Sequence, residues 1–219
     1  MVHFSLHDAL PISRIFSRNA CRRIIRAGFE YAKQYGYTNL TICEKPNVIR
    51  ETSGMMLKEA KLIAKEYPGI DLWDTNIDAQ MMWLTKNPET YGVIVAGNMF
   101  GDIISDGFAG LVGGLGFACS ANIGEQVAVF EPTHGSAPKY ETLNPSIVNP
   151  IAMILSACMM LDHIGEHEYS EKIKNAIAKV VEEGKVKTYD MLKLKGGPNV
   201  FTQGACTTQE MTDAIIAKL

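Results

Sequence analysis

Two aspartates, Asp102 and Asp106, are the residues of this sequence whose spacing points most directly to chemistry. They lie four apart in the string NMFGDIISD, residues 98–106, and helical spacing puts both on one face, one turn from each other. Ile103 and Ile104 adjoin them, and a carboxylate beside apolar groups must be paired, hydrated or bound to a cation. Ligation by oxygen alone suits Mg²⁺ or Mn²⁺. The spacing therefore indicates part of a divalent-cation site, with a solvated pair of like charges as the alternative.

Two further strings follow these aspartates. Residues 107–116 read GFAGLVGGLG, and residues 130–138 read FEPTHGSAP. Glycines at that density indicate turns or close approach of the backbone. No strand, GxGxxG and helix unit surrounds residues 113–116, so the run does not indicate a Rossmann fold.

The three strings occur in the order found in one enzyme family. NMFGDIISD resembles the metal-binding segment of the isocitrate/isopropylmalate dehydrogenases, GFAGLVGGLG the run after it, and FEPTHGSAP the adenosine-binding loop. The resemblance extends over residues 14–219, and the family oxidises and decarboxylates 2-hydroxy acids. It implies the family's non-Rossmann α/β fold, with residues 14–112 as the small domain and dimer interface. Residues 113–219 would then be the C-terminal part of the large, cofactor-binding domain.

The first residues differ from the rest. Residues 1–13, MVHFSLHDALPIS, resemble nothing in the family and lack the basic start and long apolar stretch of a signal peptide. We interpret them as a non-native leader. The resemblance then implies an incomplete large domain without the family's substrate-clamping arginines and proton-donating tyrosine, so that this chain alone is expected to be inactive.

The resemblance also assigns roles in catalysis. Asp102 and Asp106 are expected to bind Mg²⁺ or Mn²⁺, with Asp78 as a third carboxylate from the other subunit of a homodimer. Lys45 matches the lysine that crosses the dimer and supports removal of the proton from the substrate hydroxyl. Asn47 is then expected near the nicotinamide. The alternative for Asp78 is an ordinary aspartate that caps a helix, and the alternative for Lys45 is a solvated lysine in a loop.

A second set of residues is expected to bind the cofactor. By the resemblance, His134 lies against the adenine and Asn149 hydrogen-bonds to its edge. The loop around His134 positions the adenosine and includes Gly135, Ser136 and Ala137.

The choice between NADP and NAD depends on four other positions. Lys139 and Tyr140 follow the loop, where NAD-using members usually carry an acidic residue first, and they suit a 2′-phosphate by charge and hydrogen bonding. Tyr189 and Lys193 stand where NADP-using isocitrate dehydrogenases carry a tyrosine and an arginine, so Lys193 replaces a bidentate group with a point charge. The sequence favours NADP, with NAD as the alternative.

The substrate is expected to be a small 2-hydroxy di- or tricarboxylate. The lysine and tyrosine after the loop favour isocitrate, and 3-isopropylmalate, homoisocitrate and tartrate are the alternatives within the family. From another class, the chain could be a non-catalytic regulatory subunit of a hetero-oligomeric dehydrogenase. Such subunits tend to lose the metal aspartates or the lysine, and all four residues are present here.

Composition agrees with a cytoplasmic protein. The 219 residues suffice for one large or two small domains, with 47% hydrophobic residues and a net charge of −3, which gives no reason to expect nucleic acid or a membrane surface as partner. The most apolar run, residues 151–161, is about half a membrane span. Five scattered cysteines without CxxC spacing indicate reduced thiols.

Alternating elements must position these residues, and their alternation predicts an α/β layered fold. Asn149 and Pro150 indicate the start of a helix that is apolar on all sides and therefore central. Thr207 and Glu210 form a capping box. The hydrophobic spacing predicts helices at residues 19–34, 54–67, 77–87, 151–164, 166–183 and from 207 onward, and strands at residues 40–43, 91–96 and 126–130.

Overall fold

The computed structural model describes residues 15–219, so the predicted leader at residues 1–13 lies outside the described part. The chain divides into two compact units, one ending at Ser105 and the other beginning at Asp106. This division lies inside one helix, Asn98–Leu111, which carries both candidate metal aspartates. The boundary expected from the resemblance, between residues 112 and 113, stays a prediction.

The first unit is built on a parallel sheet of three strands in the order β2-β1-β3. The central strand is buried from Leu40 to Glu44, because it has a strand on each side and helices pack against it. Its elements are α1 (Arg18–Tyr35), β1 (Asn39–Glu44), α2 (Arg50–Ile63), β2 (Asp71–Asn76), α3 (Ile77–Lys86), β3 (Val93–Ala96) and α4 (Asn98–Leu111), which continues past the division.

Local signals explain the limits of α1. Ser17 caps its start, since the Ser17 hydroxyl accepts a hydrogen bond from the Ala20 amide at 3.1 Å. Gly36 ends it in the left-handed conformation, with φ of 74°. Between these caps, Ile25 and Phe29 are fully buried against the sheet. The helix was predicted, but the predicted apolar face with Ile24 and Tyr31 is wrong, since these two residues are 48% and 47% exposed.

The second unit combines a hairpin with three helices. Its elements are β4 (Cys119–Ile123) and β5 (Ala128–Pro132), which pair antiparallel, then α5 (Ile151–His163), α6 (His167–Glu183) and α7 (Thr208–Ile216). The core between the helices contains Ile151, Ile177 and Met211. The predicted capping box is confirmed, because the Thr207 amide donates to Glu210 Oε2 at 2.8 Å and the Glu210 amide to Thr207 Oγ1 at 3.1 Å.

Two predictions about elements were incomplete or wrong. The predicted strands are present as β1, β3 and β5, but β2 and β4 were missed. The expectation that the helix after Pro150 is central is wrong for one side of α5: Met153 is 58% exposed and Met160 is 42% exposed. Only the other side of α5 packs on α6 and the hairpin.

All five cysteines are free. Burial raises the pKa of each thiol, that of Cys43 to about 12 and that of Cys206 to about 11. These thiols are therefore poor nucleophiles near neutral pH. Among residues 15–219, no helix is both long enough and apolar enough to cross a membrane.

The first unit predicts opposite effects for two helical glycines. A Cβ at Gly28 in α1 would lie 2.5 Å from Val95 Cγ2 and 3.0 Å from Leu40 Cδ1, whereas one at Gly54 in α2 would meet nothing within 4 Å. We expect Gly28→Ala to lower the free energy of unfolding by about 1–3 kcal/mol through overpacking. Gly54→Ala should raise it by about 0.5–1 kcal/mol through helix propensity. Urea unfolding of both variants measures this, and shifts of the same sign would contradict the packing.

Candidate active site

Lys45 and Asp78 lie together at the carboxyl end of the parallel sheet. Lys45 directly follows β1, and Asp78 is the second residue of α3, which directly follows β2. Glu44 and Asn76, the last residues of these strands, are register partners, so the parallel pairing brings the two following side chains to one edge.

The two side chains form an ion pair between Lys45 Nζ and Asp78 Oδ1. The lysine side chain is 21% exposed and the aspartate side chain 68% exposed. The hydrogen bond from Lys45 lowers the pKa of the Asp78 carboxyl below its usual value. The charged aspartate is thus held in place at a surface open to solvent.

Asn47 lies in the turn that follows Lys45 and is exposed. The Lys45 carbonyl accepts hydrogen bonds from the amides of Val48 at 3.1 Å and Ile49 at 2.8 Å, which close this turn. The expected role of Asn47 near a nicotinamide stays a prediction.

Asp102 and Asp106 both lie on α4, one turn apart, and both are exposed. Phe100 and Ile104 of the same helix are buried. Each aspartate follows one of these buried residues by two positions, which is more than half a turn of helix. Both aspartates therefore lie on the solvent side of α4. The predicted helical spacing of the pair is confirmed.

A divalent cation would find two oxygen donors on α4, and carboxylates are the donors that Mg²⁺ and Mn²⁺ take. In the part of the chain that the structure describes, no three side chains of the His, Cys, Asp and Glu types come close enough to hold a metal ion. The α4 pair fits part of a cation site, and the expected role of Asp78 as a third ligand stays a prediction.

Glu44 is a residue that sequence reasoning missed. It is the last residue of β1, is 1% exposed, and accepts hydrogen bonds from Ser53 Oγ at 2.6 Å and from the Gly97 amide at 2.7 Å. The signal that could have found it is a carboxylate that ends a buried apolar strand directly before a candidate catalytic lysine.

The predicted adenosine loop, which includes Gly135 and Ser136, is exposed and lies in the second unit. His134 Nδ1 lies 3.0 Å from the Gly135 carbonyl oxygen. Ala137 has φ of 44°, a left-handed conformation that a residue with a Cβ adopts at a cost of about 1–2 kcal/mol. A cavity of about 490 Å³ lies beside this loop and is lined by residues that include Ser136, Tyr140 and Val148.

Asn149 follows this loop in the chain and is buried. Its Oδ1 accepts from the Ile151 amide, the first amide of α5, at 3.0 Å. The N-cap position is Pro150, so the prediction of Asn149 as the N-cap was one residue too early. Its Nδ2 donates to Asp190 Oδ2 at 3.0 Å, and Thr188 Oγ1 donates to Asp190 Oδ1 at 2.5 Å. The expected contact of Asn149 with adenine stays a prediction.

The candidate 2′-phosphate residues lie close to one another. Lys139 Nζ lies 4.7 Å from the centroid of the Tyr140 ring, and the rings of Tyr140 and Tyr189 meet edge to face at 5.7 Å. Hydrogen bonding from Tyr189, and secondarily from Lys139, lowers the pKa of the Tyr140 phenol. Burial, and then the hydrogen bond to Tyr140, raises the pKa of Tyr189. Lys193 is exposed on the turn after Tyr189, with φ of 57°.

Comparison with known proteins identifies the family of this chain. A family model described as isocitrate/isopropylmalate dehydrogenase matches residues 7–215. The chain belongs to this family. The match includes part of residues 1–13, whose interpretation as a leader stays a prediction.

Two relatives show how far the family likeness extends. The chain is 46% identical over 188 residues to the 3-isopropylmalate dehydrogenase of Archaeoglobus fulgidus, covering 86% of this chain and 57% of the relative. It is 41% identical over 217 residues to the isocitrate dehydrogenase [NADP] of Thermus thermophilus, covering 99% of this chain and 42% of the relative. The chain thus spans about half the length of the relatives that it matches.

A solved structure confirms the expected fold class. The isocitrate dehydrogenase of Methylococcus capsulatus superposes with a TM-score of 0.85 at 40% identity, covering 93% of this chain and 57% of that protein. The α/β fold of the isocitrate/isopropylmalate dehydrogenases, which the resemblance implied, is therefore the fold of this chain.

The tyrosine pair leads to a prediction about titration. Tyr189→Phe removes the hydroxyl that stabilises the Tyr140 phenolate, so the pKa of Tyr140 should rise toward the ordinary value of about 10. A pH titration by NMR of tyrosine labelled at Cζ measures the change. Tyr169→Phe, at an exposed position of α6, is the matched control and should leave Tyr140 unchanged. An identical Tyr140 titration in Tyr189→Phe would contradict the hydrogen bond.

Proposed function

We propose that the protein containing this chain oxidises and decarboxylates isocitrate to 2-oxoglutarate, with NADP as the hydride acceptor and Mg²⁺ or Mn²⁺ as the metal. The single observation that supports this proposal most is the ion pair of Lys45 with Asp78 at the carboxyl end of a parallel sheet. It joins two residues, 33 apart in sequence, that the family resemblance assigns to one reaction.

The reaction removes a hydride from the carbinol carbon and a proton from its hydroxyl, and then CO₂ leaves from the β-carboxylate. The carbon that lost CO₂ finally takes up a proton to give 2-oxoglutarate. Lys45, after it has released its own proton to solvent, would accept the hydroxyl proton, and its half-buried stem keeps the amine in one region. Asp102 and Asp106 would hold the cation, with Asp78 from a second copy. When bound, the cation would polarise the substrate oxygen and stabilise the charge that loss of CO₂ leaves on it.

Sharing of the site between subunits agrees with the geometry of a single copy. Asp78 pairs with Lys45, and the two α4 carboxylates are exposed without a third ligand among residues 15–219. We therefore propose a homodimer in which Lys45 and Asp78 serve the partner's site. The five free cysteines support a cytoplasmic location.

NADP is the cofactor that the second unit favours. A 2′-phosphate carries charge and acceptor oxygens, and Lys139 and Tyr140 offer an ammonium group and a phenol side by side. The Thermus thermophilus relative is named for NADP. NAD is the alternative, since Lys193 offers a point charge where the NADP-using pattern has a guanidinium.

A second candidate activity is oxidation of 3-isopropylmalate, which the name of the Archaeoglobus fulgidus relative favours. Homoisocitrate and tartrate are further alternatives within the family. A non-catalytic regulatory subunit is disfavoured, because Lys45, Asp78, Asp102 and Asp106 are all present.

A parallel assay decides between these activities. Isocitrate and 3-isopropylmalate are each tested with Mn²⁺ and with NADP or NAD. Both the 219-residue chain and a version extended by the preceding region of a relative are assayed, and we expect turnover only in the extended version. The proposal requires highest kcat/KM with isocitrate and NADP, and a preference for 3-isopropylmalate would replace isocitrate as the substrate.

The metal assignment predicts the effect of Asp102→Asn. Loss of one carboxylate should weaken Mn²⁺ binding and lower turnover by on the order of 100-fold or more, because the cation supplies several kcal/mol of stabilisation. Free Mn²⁺ is measured by electron paramagnetic resonance, and unfolding by urea shows that the fold is kept. Asp71→Asn, at an exposed position of β2, is the control and should bind Mn²⁺ normally. Normal affinity and turnover in Asp102→Asn would exclude this residue as a ligand.

The cofactor assignment predicts the effect of the double variant Lys139→Asp, Tyr140→Ile. Each lost charge-assisted hydrogen bond to the 2′-phosphate is worth about 1.5–3 kcal/mol, so KM for NADP should rise by roughly 10- to 100-fold or more, with little change for NAD. Lys61→Asp, an equal change of charge on α2, is the control. Equal catalytic efficiency with both cofactors in the unmodified enzyme would overturn this interpretation of the two residues.

A further inference from the structure

Glu44 is an ionisable side chain at a position that is buried from solvent. It is 1% exposed at the end of the central strand, and burying a carboxylate is costly unless hydrogen bonds compensate. The Ser53 hydroxyl at 2.6 Å and the Gly97 amide at 2.7 Å are among the partners that compensate this burial. Replacing buried charged groups by apolar groups of similar volume is often neutral or stabilising, so the elements that these hydrogen bonds join are the feature to explain.

One of these donors belongs to the start of α4. Gly97 immediately precedes the helix, and its carbonyl accepts a hydrogen bond from the Gly101 amide at 2.8 Å. Gly97 is therefore part of the first turn of α4. The bond from its amide to Glu44 fixes this turn to the end of β1, and Asp102 follows directly on the same helix.

The other donor fixes the backbone of Lys45. Ser53 Oγ donates to Glu44 and also accepts a long hydrogen bond from the Lys45 amide, at 3.4 Å. The Lys45 carbonyl is held in turn by the amides that close the following turn. Glu44 and Ser53 thus fix the peptide on one side of Lys45, and that turn fixes the other.

We propose that Glu44 is a positioning residue, which holds Lys45 and the first turn of α4 in a fixed relation to each other. The catalytic meaning of this link rests on the proposed function, in which Lys45 receives the proton and Asp102 binds the cation. Because Lys45 would serve the partner's site and α4 its own, Glu44 would join elements of two sites in the homodimer. A change at Glu44 should therefore affect proton removal and metal affinity together.

Glu59 provides a matched control. It is also a fully buried glutamate of the first unit, but its partners are the guanidinium groups of Arg18 at 3.1 Å and Arg22 at 2.5 Å. Glu59→Gln weakens a buried ion pair without touching the link between Lys45 and Gly97. It should lower stability and leave the readouts below unchanged.

The test compares Glu44→Met, Glu44→Gln and Ser53→Ala with Glu59→Gln in the protein. Hydrogen exchange reports on the amides of Lys45 and Gly97, and the rate of acylation by an amine reagent reports on Lys45 Nζ. For Glu44→Met we expect roughly tenfold faster exchange at Gly97, as loss of one hydrogen bond implies, and a changed acylation rate at Lys45. Glu44→Gln keeps an acceptor for the Gly97 amide and should restore most of its protection. Ser53→Ala should speed exchange at Lys45 alone.

Turnover provides the second readout. In the active, extended enzyme, Glu44→Met should lower kcat more than it changes KM and should weaken Mn²⁺ binding, whereas Glu59→Gln should do neither. Unchanged exchange and acylation in Glu44→Met would overturn the positioning role, and so would equal effects of Glu59→Gln. If Glu44→Met does not fold, hydrogen exchange at the amides of Lys45 and Gly97 in Glu44→Gln and Ser53→Ala tests the positioning role instead. Changed exchange without turnover on any family substrate would refute the proposed function and leave the structural link standing.

Discussion

The parallel register of three short strands is the constraint on which the candidate catalytic residues depend. Glu44 pairs with Asn76, and Cys43 pairs with Ala96, so β1, β2 and β3 end at nearly the same level. The residues that follow each strand therefore lie at the same edge of the sheet. Lys45 follows the first strand, α3 with Asp78 follows the second, and α4 with its aspartates follows the third. A slip of one residue in β1 would turn the Glu44 side chain to the other face and remove its bonds to Ser53 and Gly97.

Elements with a strong local signal could be predicted from the sequence, and elements defined by their neighbours could not. The helices around Phe29 and Ile177 repeat apolar residues at helical spacing, and Thr207 with Glu210 caps the last one. β2, with the sequence DLWDTN, is an edge strand whose residues are exposed or half-buried, so it carries no apolar alternation. Only its pairing with β1 makes it a strand.

The site shows the same division. Family motifs identified Lys45, Asp78 and the α4 aspartates one by one, and the helical spacing of the α4 pair was correct. Their contacts could not be predicted, since the bond between Lys45 and Asp78 spans 33 residues and that between Glu44 and Gly97 spans 53. Such long-range contacts follow from the order of the strands in the sheet. Because β2 was not predicted, the sequence left that order undefined.

The glycine-rich run has a structural explanation in the second unit. A Cβ at Gly116 would lie 2.4 Å from Asp190 Oδ2 and 3.0 Å from Asn149 Nδ2, so only glycine allows the backbone to approach this buried polar group. Asp190 in turn accepts from Asn149 and Thr188, which leaves neither of its oxygens without a partner. Gly116 thus serves packing around Asn149 and Asp190, and the run does not form a phosphate-binding turn of the Rossmann type.

The helices that carry the candidate metal aspartates also expose large apolar side chains. On α3, Met82 is 51% exposed and Trp83 is 38% exposed, and on α4 Ile103 is 45% exposed. Aromatic residues and methionine are enriched in the centres of protein interfaces, where their burial favours association. In the homodimer proposed above, a second copy that covered these groups would gain apolar burial, and α3 and α4 would contribute both to assembly and to the shared site.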